Sequence, residues 1–272
     1  MLSIADMLLF AGLGITAGTL AGLFGLGGGT LIVPGLFYLF SLMDLPEESL
    51  IHVAAATSMG IMICTSTAST VAHQLKGHIQ WSFFQRIGIS IIIGVICGNL
   101  LSRNISANLL ELIFGIFLLI VSLKILLDFK PDGTEKRIPS FLITSLIGFV
   151  IGFKSGVLGV GGGTLSVPFL LYCGLPMKEA SGTSASFTLP IAIIGTMAFL
   201  LLGDTQTTIP WSTGYIYWPA IALVAPFTML GAPIGARLSQ VISAQKLRRF
   251  FALLLLCLSA RMLAGTSLWL WH

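Results

Sequence analysis

Charge is what this chain lacks. Its 272 residues carry 14 Lys and Arg against 10 Asp and Glu, so 9% are charged while 56% are hydrophobic, and mean hydropathy is +0.99. A soluble globular domain has about a quarter charged residues, so this chain cannot cover a water-facing surface. Its net charge of +4 is small. In a membrane protein such an excess reflects basic loops on one side, and nothing in it points to nucleic acid. The four cysteines, Cys64, Cys97, Cys173 and Cys257, form no CxxC and pair with no nearby His. They read as free core thiols rather than metal ligands. There is no HExxH, and the few acids stand mostly at loops or helix ends. The residues therefore argue against an enzyme and imply no cofactor and no metal. The opening "MLSIADMLLF" has no basic stretch, which predicts a retained first helix instead of a cleaved signal peptide.

What the chain has in quantity is apolar runs. They fall at about 5–25, 30–43, 50–73, 81–101 and 106–128, and again at about 139–159, 164–174, 179–202, 214–238 and 247–270. Runs of this length predict an all-α polytopic membrane protein. Residues 1–128 form a first transmembrane repeat of about five helical segments, 139–272 form a second, and the polar stretch 129–138 links them.

The halves match in detail. "GLFGLGGGTLIVP" (22–34) returns as "GVLGVGGGTLSVP" (156–168), Leu45-Pro46 as Leu175-Pro176, and Ala56-Thr57-Ser58 as Gly182-Thr183-Ser184. "GVICGNLLS" (94–102) shares G-x-x-x-G-x-x-L-S with "GAPIGARLS" (231–239). Several matched pairs in one order indicate an internal duplication, as in many transporter folds.

The second run of each half is too short to span about 30 Å of hydrocarbon as a helix at 1.5 Å per residue. If it turns back, the repeats are parallel. If it crosses with help from its glycine turn, they are inverted. With crossing, Lys76, His78, Lys130, Lys136, Arg137, Lys178, Arg237, Lys246, Arg248 and Arg249 all fall on one side, and the acidic "MDLPEES", Arg103 and "LGDTQTTIP" on the other. That positive-inside pattern favours inverted repeats, both termini outside and a cytoplasmic linker.

Irregular backbone inside a membrane is tolerated where it lines a wet cavity or is buried in protein. Each GGGT ends one helix and opens a short one, whose first N–H groups and positive dipole end suit an anion. Gly27, Gly28, Gly29 and Thr30, with Gly161, Gly162, Gly163 and Thr164, are the candidate cradle. Glycine lets a ligand approach the backbone, and Thr30 and Thr164 suit N-caps or ligand hydroxyls. Pro34 and Pro168 are expected in or near the first helical turn. The competing reading is close helix packing through small residues.

Lys154, in "IGFVIGFKSGVLGVGGGT", is an ionisable group within a span. It is either the cation that neutralises an anionic ligand or a lysine snorkelling to the interface. Thr57, Ser58, Thr183 and Ser184 occupy matched positions and either donate to an oxyanion or bond their own helix backbone. His52 and His73 read as interface residues more readily than as proton relays, and Tyr215, Tyr217 and Trp218 as an aromatic interface belt.

The doubled glycine motif, each copy followed by a short loop and an "ATS" or "GTS" helix, resembles the signature of the TauE/SafE sulfite and sulfonate exporter family over almost the whole chain. The resemblance implies a multi-pass carrier in a bacterial inner membrane for small sulfur-containing oxyanions (sulfite, sulfoacetate or other organosulfonates), usually for export. Lys154 stands where the family usually has an apolar residue. The expected function is a secondary transporter working by alternating access, with a proton or other ion as coupling partner and the oligomeric state open. The alternatives are a passive anion channel, a transporter of another small organic anion, a membrane sensor that binds the anion without moving it, and an intramembrane enzyme.

Overall fold

The computed structural model describes residues 3–24, 29–43, 45–127, 139–202, 209–241 and 244–269. Gly27, Gly28 and the linker 129–138 lie outside the described residues, as do the side chains of Arg237, Lys246 and Arg248. The described chain is almost wholly helical: α1 (Ile4–Phe24), α2 (Gly29–Leu42), α3 (Glu47–Leu75), α4 (Trp81–Asn104), α5 (Ala107–Leu126), α6 (Phe141–Leu158), α7 (Gly163–Tyr172), α8 (Met177–Leu202), α9 (Trp218–Val241) and α10 (Ala244–Trp269). A two-residue hairpin, β1 (Ser212–Thr213) with β2 (Ile216–Tyr217), precedes α9.

Seven of the described helices are long and apolar enough to cross a membrane, and α2 and α7 are shorter apolar helices of 14 and 10 residues. At 1.5 Å per residue these two reach only about 21 and 15 Å. The bundle wears large apolar side chains on its outside, among them Ile89, Leu142 and Leu201. That surface suits hydrocarbon and would be a liability in water.

The main packing partners are α1 with α9, α4 with α6, α5 with α10, α3 with α8, α2 with α3, α7 with α8, α3 with α9 and α4 with α8. Replacing each helix by its counterpart in the other half reproduces the same pairings, so the duplication is carried into the packing. Small residues set the closest approaches. A Cβ at Gly98 would lie 3.0 Å from Val157 N, and one at Gly231 would lie 2.9 Å from Thr19 N. The two matched GxxxG segments are therefore packing faces, one on α6 and one on α1, as small-residue contacts in membranes are.

Helices α3 and α8, the long central pair, run antiparallel. Met59 of α3 lies against Gly195 of α8, while further along α3 a Cβ at Gly182 would sit 3.1 Å from His73 Nδ1, earlier in α8. Each helix also caps the opposite half. Thr183 Oγ1 accepts the N–H of Gln80 at the start of α4, and Thr57 Oγ1 accepts the N–H of Tyr217 at the start of α9.

The aromatic-belt expectation needs correction at Tyr217. It is 4% exposed and packs between Phe10 and Phe40, with ring centroids 6.4 and 5.6 Å away. The hairpin turns it inward, while Trp218 stays half exposed. His52 is also interior: it stacks on Tyr215, and its Nε2 lies 3.1 Å from Ser102 O.

Candidate functional site

The second glycine turn is built by Gly159, which closes α6 with φ 66° while its N–H donates to Ser155 O at 2.9 Å. That left-handed conformation favours glycine. The close contact of Ala55 also demands it, since a Cβ at Gly159 would lie 2.5 Å from Ala55 Cα. The chain then passes through Val160, Gly161 and Gly162 to α7, whose first internal bonds run from Leu165 and Ser166 N–H to Gly162 O at 3.1 and 3.0 Å. The N–H groups of Gly161, Gly162, Gly163 and Thr164 are left with no partner among the described residues, although all four residues are buried. A buried donor without a partner costs about 1–3 kcal/mol. Four such donors at a helix N-terminus make a nest suited to an anion.

The two turns meet. A Cβ at Gly29, the first residue of α2, would lie 3.0 Å from Gly161 N and 3.4 Å from Val160 Cα. Met62 of α3 lies over both: its Sδ would be 2.9 Å from that Cβ and 3.3 Å from one at Gly161. Thr188 of α8 closes the other side of Gly161, 3.0 Å from the same point through Cγ2. The thioether is flexible enough to give way to a ligand.

Lys154 faces this turn. Its Nζ donates to Gly161 O and to Thr164 Oγ1, both at 2.9 Å, and lies 5.2 Å from the centre of the Phe117 ring. Among the described residues no carboxylate pairs with it, and an ammonium held only by neutral groups at membrane depth is costly.

Thr30 and Thr164 are not N-caps. Each is the second residue of its helix, and Gly162 occupies the cap position of α7. The Thr164 hydroxyl is given to Lys154 instead. Pro34 and Pro168 are the sixth residues of α2 and α7, just past the first turn. There the ring withholds the N–H that would reach Thr30 O or Thr164 O.

The matched hydroxyls divide. Thr57 and Thr183 are taken up in the cross-half caps. Ser184 reaches the second turn through Ser166, whose Oγ lies 2.6 Å from Ser184 Oγ and donates to Gly162 O at 3.0 Å. Ser58 has no such partner, because Ile32 stands where Ser166 stands in the other half. Its hydroxyl is fully buried and unsatisfied among the described residues. Ser58 follows Ala55 by three residues and precedes Met62 by four, so it shares the α3 face that touches the turn.

Ser166 and Met62 were not among the sequence candidates. Ser166 was legible as the one position where "GGGTLIVP" and "GGGTLSVP" differ. Met62 had no signal, since a methionine in an apolar helix looks like any core residue.

The Sulfite exporter TauE/SafE family matches residues 10–262. A "Probable membrane transporter protein" of Haemophilus influenzae is 34% identical over 254 residues, covering 92% of this chain and 95% of that protein. A protein of the same description from Methanocaldococcus jannaschii is 29% identical, covering 86% of this chain and 87% of its own length. The Bacillus subtilis "Probable membrane transporter protein YunE" is 26% identical, covering 92% and 95%. No solved structure matches. The family's match over nearly the whole chain, on a bundle with seven candidate spans, settles the classification: this multi-pass membrane protein belongs to the Sulfite exporter TauE/SafE family.

Proposed function

We propose that the chain is a secondary transporter that moves small sulfur-containing oxyanions, such as sulfite, sulfoacetate or other organosulfonates, outward by alternating access. The observation that carries this reading is the second glycine turn: four buried N–H groups without partners among the described residues, with the Lys154 ammonium bonded to the same turn. A pyramidal or tetrahedral anion accepts several N–H bonds at once and neutralises the lysine. Gly29 brings the start of α2 to the same place, and Gly27, Gly28, Gly29 and Thr30 are the first half's share of the proposed cradle, so both half-helices act on one ligand. Ser58 donates its unused hydroxyl, and Ser184 acts through Ser166. Thr57 and Thr183 hold the halves together.

The antiparallel course of α3 and α8, counterparts in the two repeats, supports reading the repeats as inverted with a cytoplasmic linker. Inverted halves can exchange conformations, which gives alternating access around a fixed central site. Met62 covers Gly29 and Gly161 in this state and moves aside when the ligand enters. The test is flux of radiolabelled sulfite from loaded proteoliposomes. Saturable efflux that Lys154→Met reduces supports the carrier, whereas linear flux indifferent to Lys154 contradicts it.

A further inference from the structure

A cavity of about 530 Å³ lies between α2, α3, α5 and α10, and none of the turn glycines lines it. Its volume falls inside the roughly 300–1,000 Å³ range of small-ligand pockets. Apolar side chains such as Phe37, Leu50 and Met262 make most of the wall. Three charged residues interrupt it: Glu47 at the start of α3, half-buried Glu111 of α5, and Arg261 of α10. The Arg261 guanidinium carbon sits 4.5 Å from the centre of the Tyr38 ring. Stacking of this kind fixes the guanidinium plane and leaves its N–H edge for a planar or tetrahedral oxyanion.

Among the described residues, the side chains of these three make no ion pair and no hydrogen bond. Glu47 and Glu111 line the same cavity, and Arg261 of α10 pairs with neither. Both signs of charge are thus presented, unpaired, to one largely apolar cavity. An anion alone would leave the two carboxylates unmatched, and a cation alone would leave the guanidinium unmatched. We propose that this cavity binds a zwitterion, its primary ammonium seated on Glu47 and Glu111 and its oxyanion on Arg261. The same chemistry is found in a free amino-phosphate or amino acid and in the headgroup of an ethanolamine phospholipid.

The probe is phosphoethanolamine, titrated calorimetrically into protein held in phospholipid-free detergent, with phosphocholine as the control that lacks N–H donors. The expected result is binding of phosphoethanolamine in preference to phosphocholine. Affinity should fall at least about tenfold in both Glu111→Gln and Arg261→Gln, as for loss of a charge-assisted hydrogen bond. Glu47→Gln replaces Glu111→Gln if the latter does not fold. Repeating the titration in nanodiscs separates the sources. Weaker apparent binding in phosphatidylethanolamine than in phosphatidylglycerol identifies the lipid headgroup as occupant, and equal binding identifies a soluble one. Absence of phosphoethanolamine binding in detergent, or affinity unchanged in either variant, overturns the proposal. Sulfite binding at the glycine turns is a separate readout and stands or falls independently.

Discussion

The Thr183 hydroxyl accepts the backbone N–H of Gln80 at 2.9 Å, joining the third helix of the second half to the start of the fourth helix of the first. Thr57 and Tyr217 make the reciprocal bond at 3.0 Å. These contacts clamp the halves, so Thr183→Val should strand a backbone donor. The expected cost is about 1–3 kcal/mol of stability, read as a lower unfolding temperature, with anion affinity unchanged. A large loss of affinity at unchanged stability would place Thr183 at the ligand instead.

Lys154 is the charged contribution to the turn. Lys154→Met keeps most of the side-chain volume and removes the amine, so affinity for a sulfur oxyanion should drop by about tenfold or more, equivalent to about 1.4 kcal/mol. Calorimetry on both proteins measures it. Unchanged affinity would leave Lys154 as a tether between α6 and the turn, with no part in binding.

Ser58 offers a test in which stability and binding move apart. Its hydroxyl has no partner among the described residues, so Ser58→Ala should be neutral or slightly stabilising to the fold. If the hydroxyl donates to the anion, affinity falls by roughly threefold to tenfold, matching a net hydrogen bond of about 0.5–1.5 kcal/mol. Thermal melts with and without sulfite separate the two effects.

Much of this site could be read from the sequence because glycine and charge are conspicuous in an apolar chain. The doubled GGGT marked the starts of α2 and α7, and Lys154 stood out within its span. What could not be read depends on contacts between distant segments. Thr57 and Thr183 bond residues 160 and 103 positions away, and no local spacing encodes such partners. The cavity lined by Glu47, Glu111 and Arg261 was invisible for the same reason, since it gathers them from three helices far apart in the chain. The placement of Thr164 inside α7, rather than at its cap, follows from Gly162 taking the cap position.

Topology is accessible to labelling. With Cys64, Cys97, Cys173 and Cys257 replaced, Gly133→Cys in the linker and Ser243→Cys before α10 should react with a membrane-impermeant maleimide from the same, cytoplasmic side. Reaction from opposite sides would mean that α2 and α7 turn back and that the repeats are parallel.

The most direct test is calorimetric titration of sulfite, thiosulfate, sulfoacetate, taurine and sulfate into the purified protein and into Gly162→Val. A Cβ at Gly162 would already sit 3.1 Å from Ile191 Cδ1 and 3.3 Å from Ile151 Cγ2, so a branched side chain there crowds the nest. Selective binding of one or more sulfur oxyanions by the wild type, lost in a Gly162→Val protein that remains folded, is the expected result. Equal binding by both proteins would contradict the glycine cradle, and binding of none of the five by the wild type would contradict the sulfur-oxyanion assignment.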